Sequence, residues 1–150
     1  MRLESTRKSE LAVRALIELD RAPTLVKGAD LAETVCASAP FMAQVMALLV
    51  KEGWVASDPG PTGGYRLTIE LTDISVLELV ETIEGPTDTG LCVAADRSCD
   101  EDGVCALHHA WVMARETLRS ELAASSLAAV EAGQSNTPLK IMSKGRRDDE

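Results

Sequence analysis

Cys92, Cys99 and Cys105 place three thiols within fourteen positions, in the stretch Gly90-Leu-Cys-Val-Ala-Ala-Asp-Arg-Ser-Cys-Asp-Glu-Asp-Gly-Val-Cys. An odd number of soft ligands is a poor disulfide framework and a good three-point anchor for a soft metal ion or an iron–sulfur cluster. Three thiolates on one loop leave a coordination position for a fourth group. His108 follows Cys105 by three residues, a Cys-x-x-His spacing that puts both side chains on one helical face within reach of a shared metal. Neighbouring His109 is read as a non-ligand, and Cys36, at a helix-turn junction, as a small packing residue.

The elements on either side must position that loop. The spacing of Leu11, Ala15, Leu16 and Leu19 predicts a helix over residues 9–20, closed off by Pro23. Asp30 with Glu33 is a capping-box pattern opening a short helix through Val35. Ser38 then caps a helix with Pro40 in its first turn and Met42, Val45, Met46 and Leu49 as its buried stripe. Two short helices across a tight turn make a helix-turn-helix candidate. Gly53 ends the second, and residues 54–57 and 65–68 supply two short strands around Asp58-Pro-Gly-Pro-Thr-Gly-Gly, a projecting turn or wing.

Ser75 with Glu78 is a second capping box, with Ile74 and Leu79 as its staple. Val76, Leu79, Val80 and Ile83 continue as a stripe ending at Gly85. Beyond the cysteine loop, one long helix from 105 to about 130 carries Leu107, Trp111, Ala114, Leu118 and Leu122 as a narrow seam. Such a seam is most simply buried against a second copy, so a homodimer is expected. The expected fold is mainly α with a small β-hairpin wing. It comprises a winged helix-turn-helix over 1–85, a cluster-binding loop over 86–104, a dimerisation helix over 105–132 and a polar, disordered tail over 133–150.

The net charge of −9 argues against DNA binding until it is divided along the chain. Residues 1–72 hold eight Lys/Arg against nine Asp/Glu, while residues 73–139 hold three against twelve. The acidity belongs to the cysteine-bearing half, and Arg2, Arg7, Lys8 and Arg14 leave a basic patch on the first segment. No apolar stretch approaches a membrane span and the first residues lack the apolar run of a secretory signal, so a reducing cytoplasm is the expected location. No nucleotide loop, paired catalytic carboxylates or activated nucleophile is recognisable, which argues against an enzyme.

A reading helix meets the major groove with its first residues, while the wing lies along the backbone or minor groove. That assigns Ser38, Pro40, Phe41 and Gln44 to the base edges, Gln44 having the paired donor and acceptor that suit adenine. Thr62, Gly63, Gly64, Tyr65 and Arg66 fall on the wing, and Arg2 on the basic opening.

Several motifs in register then carry a resemblance over roughly residues 1–130. They are the opening Met-Arg-Leu with Ser9-Glu-Leu-Ala-Val-Arg-Ala-Leu, the helix Ser38-Ala-Pro-Phe-Met-Ala-Gln-Val-Met-Ala-Leu-Leu, the wing Gly60-Pro-Thr-Gly-Gly-Tyr-Arg-Leu, the segment 74–85 and the three-cysteine loop. Together they resemble the Rrf-type family of iron–sulfur winged-helix transcriptional regulators, IscR- and NsrR-like. The resemblance implies a dimeric regulator, commonly a repressor, that binds a double-stranded DNA operator with an affinity set by a cluster on Cys92, Cys99 and Cys105. The signal would be nitric oxide, redox state or cluster supply. Glu10 occupies the position of an acidic fourth ligand apparently supplied by the opposite subunit in some members, with His108 the IscR-like alternative. Two or four irons suit this donor set, four being favoured. Two departures are an opening two residues longer and Asp58 where relatives often carry a basic residue. The competing readings are a structural zinc on Cys92, Cys99, Cys105 and His108, a metal-free thiol switch, and a small electron-transfer protein.

Overall fold

The computed structural model describes residues 6–91 and 105–134 of the 150. Helix α1, Arg7–Arg21, begins earlier than its apolar periodicity indicates, because the Thr6 hydroxyl accepts the backbone N–H groups of Lys8 and Ser9. It buries Leu11, Ala12, Ala15, Leu16 and Leu19 along one face. Helix α2, Gly28–Thr34, likewise starts ahead of the expected capping box. Lys27 stands at its N-cap without a side-chain cap bond, and Asp30 lies inside its first turn, so the Asp30/Glu33 pattern is not the start signal. The cause is non-local: Val26 exchanges backbone hydrogen bonds with Tyr65, at 2.9 and 2.8 Å, and pins the chain where α2 must begin.

Helix α3, Ala39–Glu52, follows the sequence closely. Ser38 stands at its N-cap but, contrary to the expected cap, its side chain makes no capping bond; Pro40 lies in the first turn, and Met42, Val45, Met46 and Leu49 are buried. It closes in a Schellman arrangement around Gly53, whose φ of 89° only glycine adopts without strain. The Gly53 N–H donates to Val50 and the Trp54 N–H to Leu49, each at 3.1 Å. Strands β1, Val55–Asp58, and β2, Gly64–Leu67, pair antiparallel with Val55 opposite Leu67 and Asp58 opposite Gly64. After a single 3-10 turn, Leu71–Asp73, helix α4, Val76–Glu84, opens on the expected Ser75/Glu78 capping box.

The long C-terminal helix is in two pieces. Helix α5, His108–Ala124, stops at Ser125, and α6, Leu127–Gln134, restarts after Ser126, whose hydroxyl accepts the Ala129 N–H at 3.2 Å. At the break the chain adds a short bridge to the head. Val76 donates to the Ser125 carbonyl at 2.8 Å, Leu127 donates to that of Ile74 at 2.9 Å, and the Leu127 side chain is fully buried. The core therefore joins α1, α3, α4 and the start of α6 around Leu11, Leu16, Met46, Leu49, Ile74, Leu79 and Leu127.

Candidate nucleic-acid interface and cysteine site

Helices α2 and α3 are bent by 107° across residues 35–38, within the range of about 90–120° for a helix-turn-helix. Ser38 at the N-cap and Pro40 and Gln44 on α3 are exposed, as are Ala39, Ala43 and Ala47. Phe41 is half-buried and packs on the core. The turn holds a surprise at Cys36: its φ is 56° and it is exposed, so it is not the packing residue its position implied. Its carbonyl accepts a hydrogen bond from the Arg7 guanidinium at 3.2 Å, which ties the start of α1 to the bend. Arg7 and Lys8 oppose the α1 dipole by sitting in its first turn, a placement that favours a bound anion over local stability. The Thr6 cap sets where Arg7 and Lys8 fall on α1, and the Val26 bridge sets Lys27 at the N-cap of α2.

On the wing, Thr62 and Arg66 are exposed and Tyr65 is half-buried. Gly63 and Gly64 have a packing reason that the sequence reading did not give them. A β-carbon on Gly63 would stand 2.0 Å from the Asp58 carbonyl oxygen, and one on Gly64 2.5 Å from that of Val26. Gly64→Ala is therefore expected to push Val26 off the sheet at a cost of about 1–3 kcal/mol, read as a lower unfolding midpoint. An unchanged midpoint would remove this account of the glycine pair.

Of the cysteine trio, Cys92 and Cys99 lie outside the described residues, as does Arg2. Cys105 is half-buried just ahead of α5, and its carbonyl accepts the His108 N–H at 3.0 Å. The two side chains thus share one helical turn, while His109 is exposed. The loop's opening is held by α4 and α5. Thr87 donates its N–H and hydroxyl to Glu81 Oε1 at 3.0 and 2.5 Å, and Arg119 Nη1 donates to the same oxygen at 2.6 Å. Arg115 pairs with Asp88, which also accepts the Gly90 N–H at 3.0 Å. The Arg115 side chain is only 12% exposed, and its buried Nε finds no partner among the described residues.

The hydrogen bonds from the Thr87 hydroxyl and N–H, with the Arg119 guanidinium, hold the Glu81 carboxyl below its usual range. The Gly90 N–H, followed by Arg115, does the same for Asp88. A carboxylate whose folded value is depressed stabilises the folded state above its unfolded value, and that contribution is lost as pH falls through the folded one. Protection of the Thr87 and Gly90 amides from hydrogen exchange is therefore expected to hold at neutral pH and to be lost only as the pH falls below the ordinary carboxylate range. A flat acid profile would show that these bonds do not anchor the loop.

Glu10 is engaged within its own helix: its Oε1 lies 2.6 Å from Arg14 Nη2. Helix α4 packs against both α1 and α5, which make no substantial contact with each other. No group of three His, Cys, Asp or Glu side chains assembles as a metal site among the described residues.

A bent helix pair, a hairpin wing and a helix appended beyond a cysteine loop define a winged-helix DNA-binding protein. The chain belongs to the Rrf2 family of iron-dependent transcriptional regulators, whose profile matches residues 5–132. It is a regulator of transcription and not an enzyme. It is 32% identical over 127 residues, covering 82% of this chain and 76% of the relative, to ORF2 of Azotobacter vinelandii, which bears the name of an HTH-type transcriptional regulator. It is also 32% identical to the regulator IscR of Vibrio atlanticus, over 73% of this chain and 64% of that one. Among solved structures, CymR, the global cysteine regulator of B. subtilis, superposes with a TM-score of 0.72 at 22% identity, covering 88% of this chain and 98% of that one. These likenesses support the winged-helix fold. No single helix among the described residues is long and apolar enough to cross a membrane.

Proposed function

We propose that the chain acts in the cytoplasm as a homodimeric repressor whose grip on a double-stranded DNA operator is set by an iron–sulfur cluster. The observation that carries this reading is the thiol trio Cys92, Cys99 and Cys105, placed between the head's α4 and the appended α5. The donor set fits such a group. The sequence supplies three soft ligands, an imidazole follows one turn beyond Cys105, and a buried Arg115 N–H is left over beside the loop's opening to offset anionic thiolates. Glu10 of the partner subunit is the preferred fourth ligand, because α4 lies between α1 and α5 within one chain; His108 is the alternative. A bound cluster, with four irons favoured over two, supplies iron open to nitric oxide or oxidants at its non-thiolate position.

The chain's own residues do the rest. Gln44 offers its amide to an adenine edge, with Ser38, Pro40 and Phe41 fitting the groove around it. Arg2, Arg7, Lys8 and Arg66 neutralise phosphates, while Thr62, Gly63, Gly64 and Tyr65 carry the wing to the backbone. Dimerisation is supported by α5, a seventeen-residue helix with no buried residue despite Trp111, Val112, Leu118 and Leu122; Leu107 and Met113 are 56% and 55% exposed. The test is anaerobic purification with measurement of the visible spectrum and iron, followed by operator binding of cluster-loaded and cluster-free protein across a salt series. A visible band and affinities differing by about tenfold or more are expected; equal affinities reject cluster control.

A second reading is a metal-free thiol switch, expected from the sequence as a disulfide between two of Cys92, Cys99 and Cys105; the exposure of Cys36 at the helix-turn-helix bend offers a different thiol for it. Colourless protein that loses operator affinity in peroxide, recovers it in thiol, and is indifferent to peroxide as Cys36→Ser would favour this reading instead.

A further inference from the structure

Helix α4 carries two carboxylates one turn apart, Glu81 and Glu84, and each receives hydrogen bonds from a different part of the molecule. Glu81 holds the start of the cysteine loop through Thr87, with Arg119 of α5 donating to the same oxygen. Glu84 holds the start of α1. Its Oε1 accepts the Thr6 N–H at 3.2 Å and the hydroxyl of Ser9, which is 1% exposed and the one buried polar residue among those described. Burial alone would raise the Glu84 carboxyl, but the bonds from Ser9 and Thr6 outweigh it and leave it lowered.

Local rules do not account for this placement. A carboxylate in the last turn of a helix opposes the dipole, and a hydroxyl on the apolar face of α1 has to be satisfied by a partner from elsewhere. Each departure is resolved by the other, across 75 residues of chain. The first turn of α1 in turn reaches the reading head, where Arg7 donates to the Cys36 carbonyl at the bend between α2 and α3.

We infer that Glu81 and Glu84 are positioning residues that form a relay, tying the opening of the cysteine loop to the first turn of α1 and so to the helix-turn-helix bend. A movement of the loop that draws Thr87 away from Glu81 loosens the last turn of α4, and Glu84 passes that change to Thr6 and Ser9. The regulatory use of the relay rests on the function proposed above; the mechanical link does not.

The experiment weakens the relay at the end remote from α1 and reads it at α1: Arg119→Met removes the guanidinium that bonds both Glu81 and the Thr87 hydroxyl, and Thr87→Val removes that hydroxyl while keeping the Thr87 N–H bond to Glu81. Hydrogen exchange of the full-length Arg119→Met and Thr87→Val variants is compared with wild type, with Arg119→Lys as the conservative rescue. The α1 amides at Ser9 to Ala12, including the Glu10 N–H bonded to Thr6 at 3.0 Å, are expected to exchange roughly two- to tenfold faster in both cut variants and at the wild-type rate in Arg119→Lys. Faster exchange confined to residues 85–91, with α1 unmoved, overturns the relay. Should Arg119→Met fail to fold, Thr87→Val alone carries the same comparison. A second measurement takes the ratio of operator affinities for cluster-loaded and cluster-free protein. With cluster content unchanged, Arg119→Met is expected to bring that ratio towards one, and an undiminished ratio counts against the relay. A wild-type ratio already at one rejects cluster control, and the exchange result then judges the link by itself.

Discussion

Cys105→Ser protein, prepared without oxygen, is expected to be colourless and poor in iron, and its operator affinity should no longer respond to cluster reconstitution. A serine hydroxyl does not ionise near neutral pH and is a hard oxygen donor, so it cannot replace a thiolate at a soft iron site. The position magnifies the effect, because Cys105 leads directly into the first turn of α5, where its carbonyl is fixed by the His108 N–H. The wild-type affinity difference of about tenfold or more should fall to about one. Cys36→Ser is the control that retains colour, since Cys36 lies at the helix-turn-helix bend, away from the trio in sequence. The fourth ligand is separated by Glu10→Ala and His108→Ala: loss of cluster in the first alone assigns Glu10, and loss in the second alone assigns His108. Full colour and iron in Cys105→Ser would show that the anchor does not use this thiol.

What the sequence disclosed about the fold divides by range. Helix α3 was legible almost to the residue because Ser38, Pro40, the Met42 to Leu49 stripe and Gly53 act within a turn or two of one another. The Ser75/Glu78 box was legible for the same reason. The starts of α1 and α2 were displaced, the first by a Thr6 cap outside the apolar pattern and the second by the Val26 to Tyr65 bridge across the wing. The Ser125-Ser126 break left a local sign, two consecutive helix-capping residues, that a continuous apolar seam masked. The candidate site divides similarly. The three thiols declare themselves by type and spacing. The ion pair that engages Glu10, the exposure of Cys36 and the carboxylates that hold the loop's opening depend on contacts between elements, which no single-segment pattern contains. Gly63 and Gly64 were found for a partial reason: their flexibility was visible, but not the carbonyls that a β-carbon would strike.

The break between α5 and α6 leads to the largest expected effect on stability. Leu127→Ala removes a fully buried side chain from the junction where the C-terminal helices meet the head, and is expected to cost about 2–5 kcal/mol. For domains with a total stability of about 5–15 kcal/mol that is a large fraction, and a fall of roughly 10 °C in the unfolding midpoint follows. The backbone bonds between Leu127 and Ile74 and between Val76 and Ser125, with the Arg21 to Glu131 ion pair at 2.9 Å, hold the segment in place and limit collapse around the cavity. Leu118→Ala supplies the contrast. Leu118 is half-buried on α5, and if its seam faces a second copy the loss should be small at low protein concentration and grow as the concentration rises through the range where the wild type dimerises. The Leu127→Ala loss belongs to the single chain and should remain at every concentration. A Leu127→Ala cost below about 1 kcal/mol would mean that α6 is only loosely docked. Helix α5 would then be attached to the reading head through α4 alone, and a change at the cysteine loop would have only one route to the operator.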